Sequence, residues 1–198
     1  MRETETSPPA TRRLQYAIAL LLVGVAIVVT LVLGGVFDPQ PLGSVRTDQS
    51  PGPVTIPAGG RQITWLPDTA LTPPYTLRLT AQHTEGESDM GFGLVTGNAD
   101  HYLVVAMSPL GYVSIWEETG EDQITHLPWQ TWPHVRPGAA ENEIWLDNDG
   151  QQVTVRLNRE SLWTGRVDDG ENQVGLYGQS FGAPAGVDYS NLTIWQGE

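Results

Sequence analysis

The sequence predicts an all-β sandwich of antiparallel sheets carried behind one N-terminal transmembrane helix, and three observations predict it. Leu14 to Phe37 (LQYAIALLLVGVAIVVTLVLGGVF) is an uncharged apolar run. As a helix rising about 1.5 Å per residue, it exceeds the roughly 30 Å hydrocarbon core of a bilayer. Beyond it, short alternating runs recur between turn residues: YTLRLTAQ, GFGLVTG, YLVVAMS, YVSIWE, NEIWLDN, QVTVRLN, QVGLYGQ and VDYSNLTIW. That is the pattern of strands. No stretch of helical length after the span keeps a helical period free of Gly and Pro, so the anchor is the only helix expected.

Taken in order, residues 1–13 read as a short polar cytoplasmic tail. Arg12 and Arg13 abut the span and Arg2 lies close by, and basic residues favour the cytoplasmic side. The expectation is a single-pass protein of the cell membrane with its C-terminal domain extracytoplasmic. A secretory signal has a shorter apolar region of about 7 to 15 residues, so residues 14–37 are taken as an uncleaved anchor, cleavage near Gly34 or Gly35 being the alternative. Within the span Ala26, Thr30 and Gly34 fall at four-residue spacing, a stripe of small side chains that lets helices approach closely in lipid. Small residues are also common in spans without any partner. Residues 38–53 carry Pro39, Pro41, Pro51 and Pro53, a composition that resists helix and suits an extended linker. The folded domain is expected over 54–198.

Composition narrows the partners. The chain has 198 residues, a net charge of −13, no Cys and no Lys. Beyond the span seven Arg face twenty-one acids, which argues against nucleic-acid or anionic-lipid surfaces, since both require clustered cations. Without cysteine there is no disulfide, zinc-thiolate site or thiol nucleophile, and packing alone must hold the fold.

Among the strands, Tyr75, Leu77, Leu79 and Ala81 alternate with polar neighbours, as one-sided strands do. Asn148-Asp149-Gly150 marks a hairpin that turns Ile144 and Leu146 inward with Val153, Val155 and Leu157. The stretch HYLVVAMSPLGYVSIWEE is different: Tyr102, Val104 and Ala106 point one way, Leu103, Val105 and Met107 the other, and neither set is polar. A second apolar face needs a cover. PWQTWPHVRPG, broken by Pro128, Pro133 and Pro137, is expected as a loop that folds Trp129 or Trp132 over the Leu103, Val105 and Met107 side, leaving a smaller exposed patch beside Tyr112 and Trp116.

The succession GFGLV, a Tyr-bearing strand, SPLGYVSIW, RPG, an Asn-opened strand, the VTVRLN hairpin, GLYG and VDYSNLTIW resembles the concanavalin A-like jelly-roll superfamily, in particular its laminin G-like and 3-keto-disaccharide-hydrolase-like domains. The resemblance covers most of residues 54–198. It implies a two-sheet antiparallel jelly roll whose more curved sheet offers a concave face, where relatives bind glycans or proteins; some relatives hold calcium at a loop edge. Relatives place Asn-Gly where this chain has Asn158-Arg159.

Candidate site residues follow. Glycanases of the superfamily set paired acids on one strand, as in E-x-D-x-x-E, to share acid, base and nucleophile roles, and that motif is absent, so no catalytic residue is assigned. In ENEIWLD, Glu143 and Trp145 fall on one face with Arg156 from the partner strand, an aromatic, an acid and an Arg that would suit a sugar ring; a solvated face with Arg156 pairing an acid is the simpler account. Trp129 and Trp132 would form an aromatic platform, with Tyr112 and Trp116 beside it. No metal site or cofactor is expected; calcium is the ion that the acids of WEETGED and LDNDG would suit. The reading is a non-catalytic, membrane-anchored module that binds a glycan or a protein. The alternatives are an accessory subunit of a membrane complex, or a saccharide hydrolase.

Overall fold

The computed structural model describes residues 9–34, 36, 38–167 and 172–197. Residues 1–8 of the expected tail, and Phe37 at the end of the expected span, lie outside them. The first unit holds α1 (Pro9–Leu33). It starts before the expected span, with proline at a helix start, where a missing N–H costs nothing. Its segment Arg12–Leu33 contains an 18-residue window of mean hydropathy 2.9 and is long and apolar enough to cross a membrane. Thr30 donates its hydroxyl to the Ala26 carbonyl at 2.8 Å and Gly34 N–H bonds Thr30 O at 2.8 Å, so the three small residues do follow one another along one helix face.

The second unit, Pro41–Glu198, contains both sheets. In chain order its strands are β1 (Ser44–Gln49), β2 (Gly52–Ile56), β3 (Arg61–Trp65), β4 (Tyr75–Gly86), β5 (Met90–Gly97), β6 (His101–Met107), β7 (Tyr112–Thr119), β8 (Asp122–Thr131), β9 (Asn142–Asn148), β10 (Val153–Leu157), β11 (Glu160–Gly165), β12 (Gln173–Ser180) and β13 (Ala185–Gln196). One sheet runs β1-β13-β4-β9-β10-β11, with β2 also on β13; the other runs β3-β12-β5-β6-β7-β8. Every pairing is antiparallel. This is the jelly-roll sandwich expected from the sequence.

The linker boundary needs correction. Ser44–Gln49 pairs with β13 from Ser44↔Gln196 to Gln49↔Leu192, so much of segment 38–53 is sheet rather than spacer. Pro51 and Pro53 fall in and beside short strands at the sheet margin, where a missing backbone donor is tolerated.

The inter-sheet core takes Tyr75, Leu77, Leu79 and Ala81 from β4, Ile144 and Leu146 from β9, Val153, Val155 and Leu157 from β10, and Phe92 and Leu94 from β5. Leu103, Val105 and Met107 join it, which overturns the expected lid: these residues face the opposite sheet, in a ladder Leu94–Val105–Ile115. The outward face is the other one. There Val104, Ala106, Val95, Trp116 and Tyr177 form a second buried cluster, with Ile63, Trp65 and Tyr102 against it. The cover of the second face is the sheet's own aromatic side chains. Trp132 packs on the main core instead. Trp129 lies on edge strand β8, not in a loop, and Pro128 fits there because an edge strand leaves one side unpaired.

The turn Asn158-Arg159 is also settled: both residues have positive φ, 52° and 74°. That is the type I′ geometry favoured between twisted strands, here held by an Arg where Gly would be unstrained.

Candidate functional site

Strand register builds a depression on the outer face of the β3-β12-β5-β6-β7-β8 sheet. Tyr177 of β12 pairs with Gly93, Gly93 with Ala106, and Ala106 with Ser114, so a row of small residues crosses β5, β6 and β7. Large rings lie into that space. A Cβ added at Gly91 would stand 3.0 Å from the Trp129 ring and 3.7 Å from Tyr177, so the absence of a side chain there is what seats Trp129. Trp116 meets Tyr177 edge-on at 5.2 Å and Trp65 meets Tyr102 edge-on at 6.1 Å, arrangements in which ring edges meet ring faces, while Trp116 and Trp129 lie tilted at 49° with centres 6.4 Å apart.

Into this aromatic floor is set one ion pair. Arg61 Nη2 donates to Glu118 Oε1 at 2.5 Å and to the Tyr102 hydroxyl at 2.8 Å. Its guanidinium lies 5.9 Å from the Tyr102 ring centre and 5.7 Å from that of Tyr177, within cation–π range. Glu118 also accepts from Trp116 Nε1 at 2.9 Å and from the Tyr102 hydroxyl. Burial pushes the Glu118 carboxyl upward, but hydrogen bonds from Tyr102, Arg61 and Trp116 outweigh it and hold the group below its ordinary range. Burial, with the Glu118 hydrogen bond, pushes the Tyr102 phenol up to about 12. Burial alone would lower Arg61; bonding to Glu118 raises it. The pair is thus fixed as charged, and its three donors occupy the carboxylate. A cavity of about 370 Å³ opens over it, edged by Gln123, Thr125, Gln179, Trp129 and Phe181. Glu118 is the one carboxylate in that lining, whereas sugar hydrolysis by paired acids needs two. With Trp116 and Tyr177 buried, the rings this arrangement exposes are those of Trp129 and Phe181, and they stand beside polar groups, a combination that suits a sugar's C–H face and hydroxyls.

The sequence-nominated residues divide between the two sheets. Tyr112, Trp116 and Trp129 belong to this sheet, Tyr112 at its end. Trp132, half-buried, packs on the core. Glu143, Trp145 and Arg156 lie on the opposite sheet, where the paired-face account holds. Arg156 binds Asp147, which also accepts from Trp145 Nε1 at 2.8 Å and Thr76 Oγ1 at 2.6 Å. Trp145 stacks on Trp195 at 6.0 Å and 7°, under the Arg78 guanidinium, and is only 6% exposed. It offers no open ring face. Glu143 lines a separate polar cavity of about 360 Å³ with Glu141, Arg136 and Arg159. Among the described residues no three acids, His or Cys are grouped to hold a metal ion. In WEETGED, Glu117 turns inward to His101 and His126 while Glu118 turns outward; in LDNDG, Asp149 accepts the Gln151 and Gln152 N–H groups at 2.8 Å. Arg61, Tyr102, Tyr177, Gln179 and Phe181 are not among the sequence candidates, and Glu118 is there only as one of the WEETGED acids. Alternation along WEE offered Glu118, but Arg61 and Tyr177 come alongside only through pairing of β3 and β12.

No protein-family model matches the sequence, and no curated protein sequence matches it. Solved structures do. The chain is similar to the carbohydrate-binding module CBM66 from Bacillus subtilis, with a TM-score of 0.51 and 11% identity over 79% of this chain and 91% of that one. It is similar to the Bacteroides ovatus mixed linkage glucan GH16 in complex with a G4G4G3G product, with a TM-score of 0.53 and 8% identity over 76% of this chain and 84% of that one. It also resembles the Aspergillus kawachii β-fructofuranosidase, with a TM-score of 0.54 and 11% identity, over 76% of this chain but 27% of that one. At such identities the likeness is one of fold alone, that of a two-sheet antiparallel jelly-roll sandwich.

Proposed function

We propose that this chain is a membrane-anchored, extracytoplasmic module that binds a glycan on the outer face of the β3-β12-β5-β6-β7-β8 sheet without cleaving it. The observation that carries the reading is the Arg61–Glu118 pair set among Tyr102, Trp116, Tyr177 and Trp129 beneath an open cavity. Carbohydrate-binding and carbohydrate-cleaving proteins among the fold neighbours are consistent with it. The anchor reading rests on Arg12–Leu33 and its orientation on Arg12 and Arg13.

The test is a glycan array probed with Pro41–Glu198, which holds both sheets and the core within itself, and with the full chain in lipid nanodiscs. Binding that is lost in both Trp129→Ala and Glu118→Gln supports the reading. Failure of both preparations to bind any glycan refutes it. A second reading, saccharide hydrolysis, draws on the cavity that brings Glu141 and Glu143 together. Glycan turnover lost in Glu143→Gln would favour it.

A further inference from the structure

At one end of the same sheet lies a second cavity, of about 450 Å³, with a different character. Its walls are Met90, Leu110, Tyr112, Trp129 and Phe181, with Asp89 and Ser108 the polar members. Leu110 is 52% exposed, Phe181 50%, Trp129 40% and Tyr112 39%. Among the described residues of Pro41–Glu198, the other large apolar side chains this exposed are Val45 and Ile124. So most of the domain's exposed apolar bulk converges on one hollow, and such clustering marks contact sites rather than ordinary surface.

The hollow is built rather than incidental. The β6–β7 turn that carries Leu110 is closed by Ser108 N–H to Tyr112 O at 2.9 Å and Gly111 N–H to Ser108 O at 3.0 Å. It is braced from outside by Trp132 N–H to Gly111 O at 3.0 Å and Gly138 N–H to Pro109 O at 2.8 Å. Phe181 is fixed by its N–H to Asp89 O at 3.0 Å. The Ser108 hydroxyl already accepts Leu110 N–H at 3.2 Å. Sugar hydroxyls would find few partners on Leu110, Met90 and Phe181. Trp129 and Phe181, however, line both this cavity and the one above Arg61 and Glu118, so a single ligand can span the shared wall.

Resting on the glycan-binding reading, we infer that the ligand is an amphiphilic saccharide: a sugar seated over Arg61–Glu118 and carrying an acyl, alkyl or aryl substituent that fills the Leu110–Tyr112–Phe181 cavity. The room suffices, since about 150 Å³ already admits a benzene ring. Burying each methylene should tighten binding about fourfold, by the usual transfer energy of roughly 0.8 kcal/mol.

The experiment uses the sugar selected by the array, as its methyl and butyl glycosides, titrated calorimetrically against Pro41–Glu198, with 1-butanol as the tail-only probe. The inference expects the butyl glycoside to bind at least tenfold more tightly than the methyl. That ratio should fall towards one in Leu110→Ser, a change at an exposed residue, while the methyl glycoside binds Leu110→Ser as it binds the wild type. Equal affinity for methyl and butyl glycosides overturns the inference and leaves the glycan reading standing. Binding of butanol as tight as that of the butyl glycoside overturns both, because the sugar then contributes nothing.

Discussion

Replacing Glu118 by Leu tests whether the polar cluster is part of the fold. Three donors lose their acceptor: Arg61 at 2.5 Å, Trp116 Nε1 at 2.9 Å and the Tyr102 hydroxyl. The ion pair is part-exposed, with 36% and 14% of the two side chains accessible, so its loss costs about 1 kcal/mol. Trp116 is 6% exposed, and an indole N–H left without a partner there costs about 1–3 kcal/mol. Arg61 donates to the Tyr102 oxygen and cannot accept its proton, but the half-buried Tyr102 hydroxyl can turn to water and adds little. The expected loss is about 2–4 kcal/mol, which at a urea m-value near 2 kcal/mol/M lowers the unfolding midpoint by about 1–2 M. Glu118→Gln, which keeps an acceptor but not the charge, should cost about 1 kcal/mol. A double-mutant cycle with Arg61→Leu should return a coupling of at least 0.5 kcal/mol. The assay is equilibrium urea unfolding of Pro41–Glu198 followed by tryptophan fluorescence. A midpoint unchanged in Glu118→Leu would refute the reasoning.

Leu79→Ala, at a site with no exposure in the inter-sheet core, should cost about 2–5 kcal/mol in the same unfolding assay, and a change under 1 kcal/mol would contradict the sandwich packing. Arg159→Gly should raise stability by up to about 1 kcal/mol, because a φ of 74° strains Arg and not Gly; a lower melting temperature would show that the Arg159 side chain outweighs that strain. The phenol of Tyr102 is raised to about 12, and burial raises those of Tyr177 and Tyr189. Their contribution is therefore complete below the unfolded value near 10 and is lost as pH rises through the folded value. Melting temperature should fall above about pH 10, less steeply in Tyr102→Phe, and parallel curves would count against this. Glu118, held below its ordinary value, acts at the other end: its contribution is present above the unfolded value and lost as pH falls through the folded one. The full chain should remain with membranes through alkaline carbonate extraction, and recovery in the soluble fraction would exclude Arg12–Leu33 as an anchor.

The strands legible in the sequence were the interior ones. β4, β5, β6, β7, β9, β10, β12 and β13 each pair on both sides, and their alternation is enforced by a neighbour on either flank. The five that escaped notice, β1, β2, β3, β8 and β11, lie at sheet margins or off the main path. Margin strands bear polar residues and prolines, as RTDQ in β1 and Pro128 in β8 do, because one side of the backbone faces no partner. Their composition reads as linker or loop, as it does in residues 38–53 and the Trp129 segment. The direction of β6 was lost for a different reason. With both faces of His101–Met107 apolar, alternation alone leaves the inward set undetermined; only the register against Leu94 and Ile115 assigns Val105 to the core and Val104 to the outer cluster.

That assignment also explains why the candidate site lies on this sheet. On the opposite sheet the aromatic and charged residues satisfy one another: Asp147 takes donors from Arg156, Trp145 and Thr76, and Arg78 closes over Trp145 and Trp195. Trp145 is buried there against Trp195 and under Arg78. On the β5-β6-β7 face the glycines at 91 and 93 and Ala106 withdraw the floor, so Tyr177 and Trp116 sink into the sheet while Trp129 and Phe181 stand at its rim. The second apolar face of β6 is thus the foundation of a recess. Ala106→Leu should fill that recess from below, displacing Tyr177 or Trp116 and destabilising the domain by about 1–3 kcal/mol, as overpacking does. The same substitution should weaken glycan binding at temperatures where the variant is still folded. A variant that keeps full affinity would show that the recess plays no part in recognition.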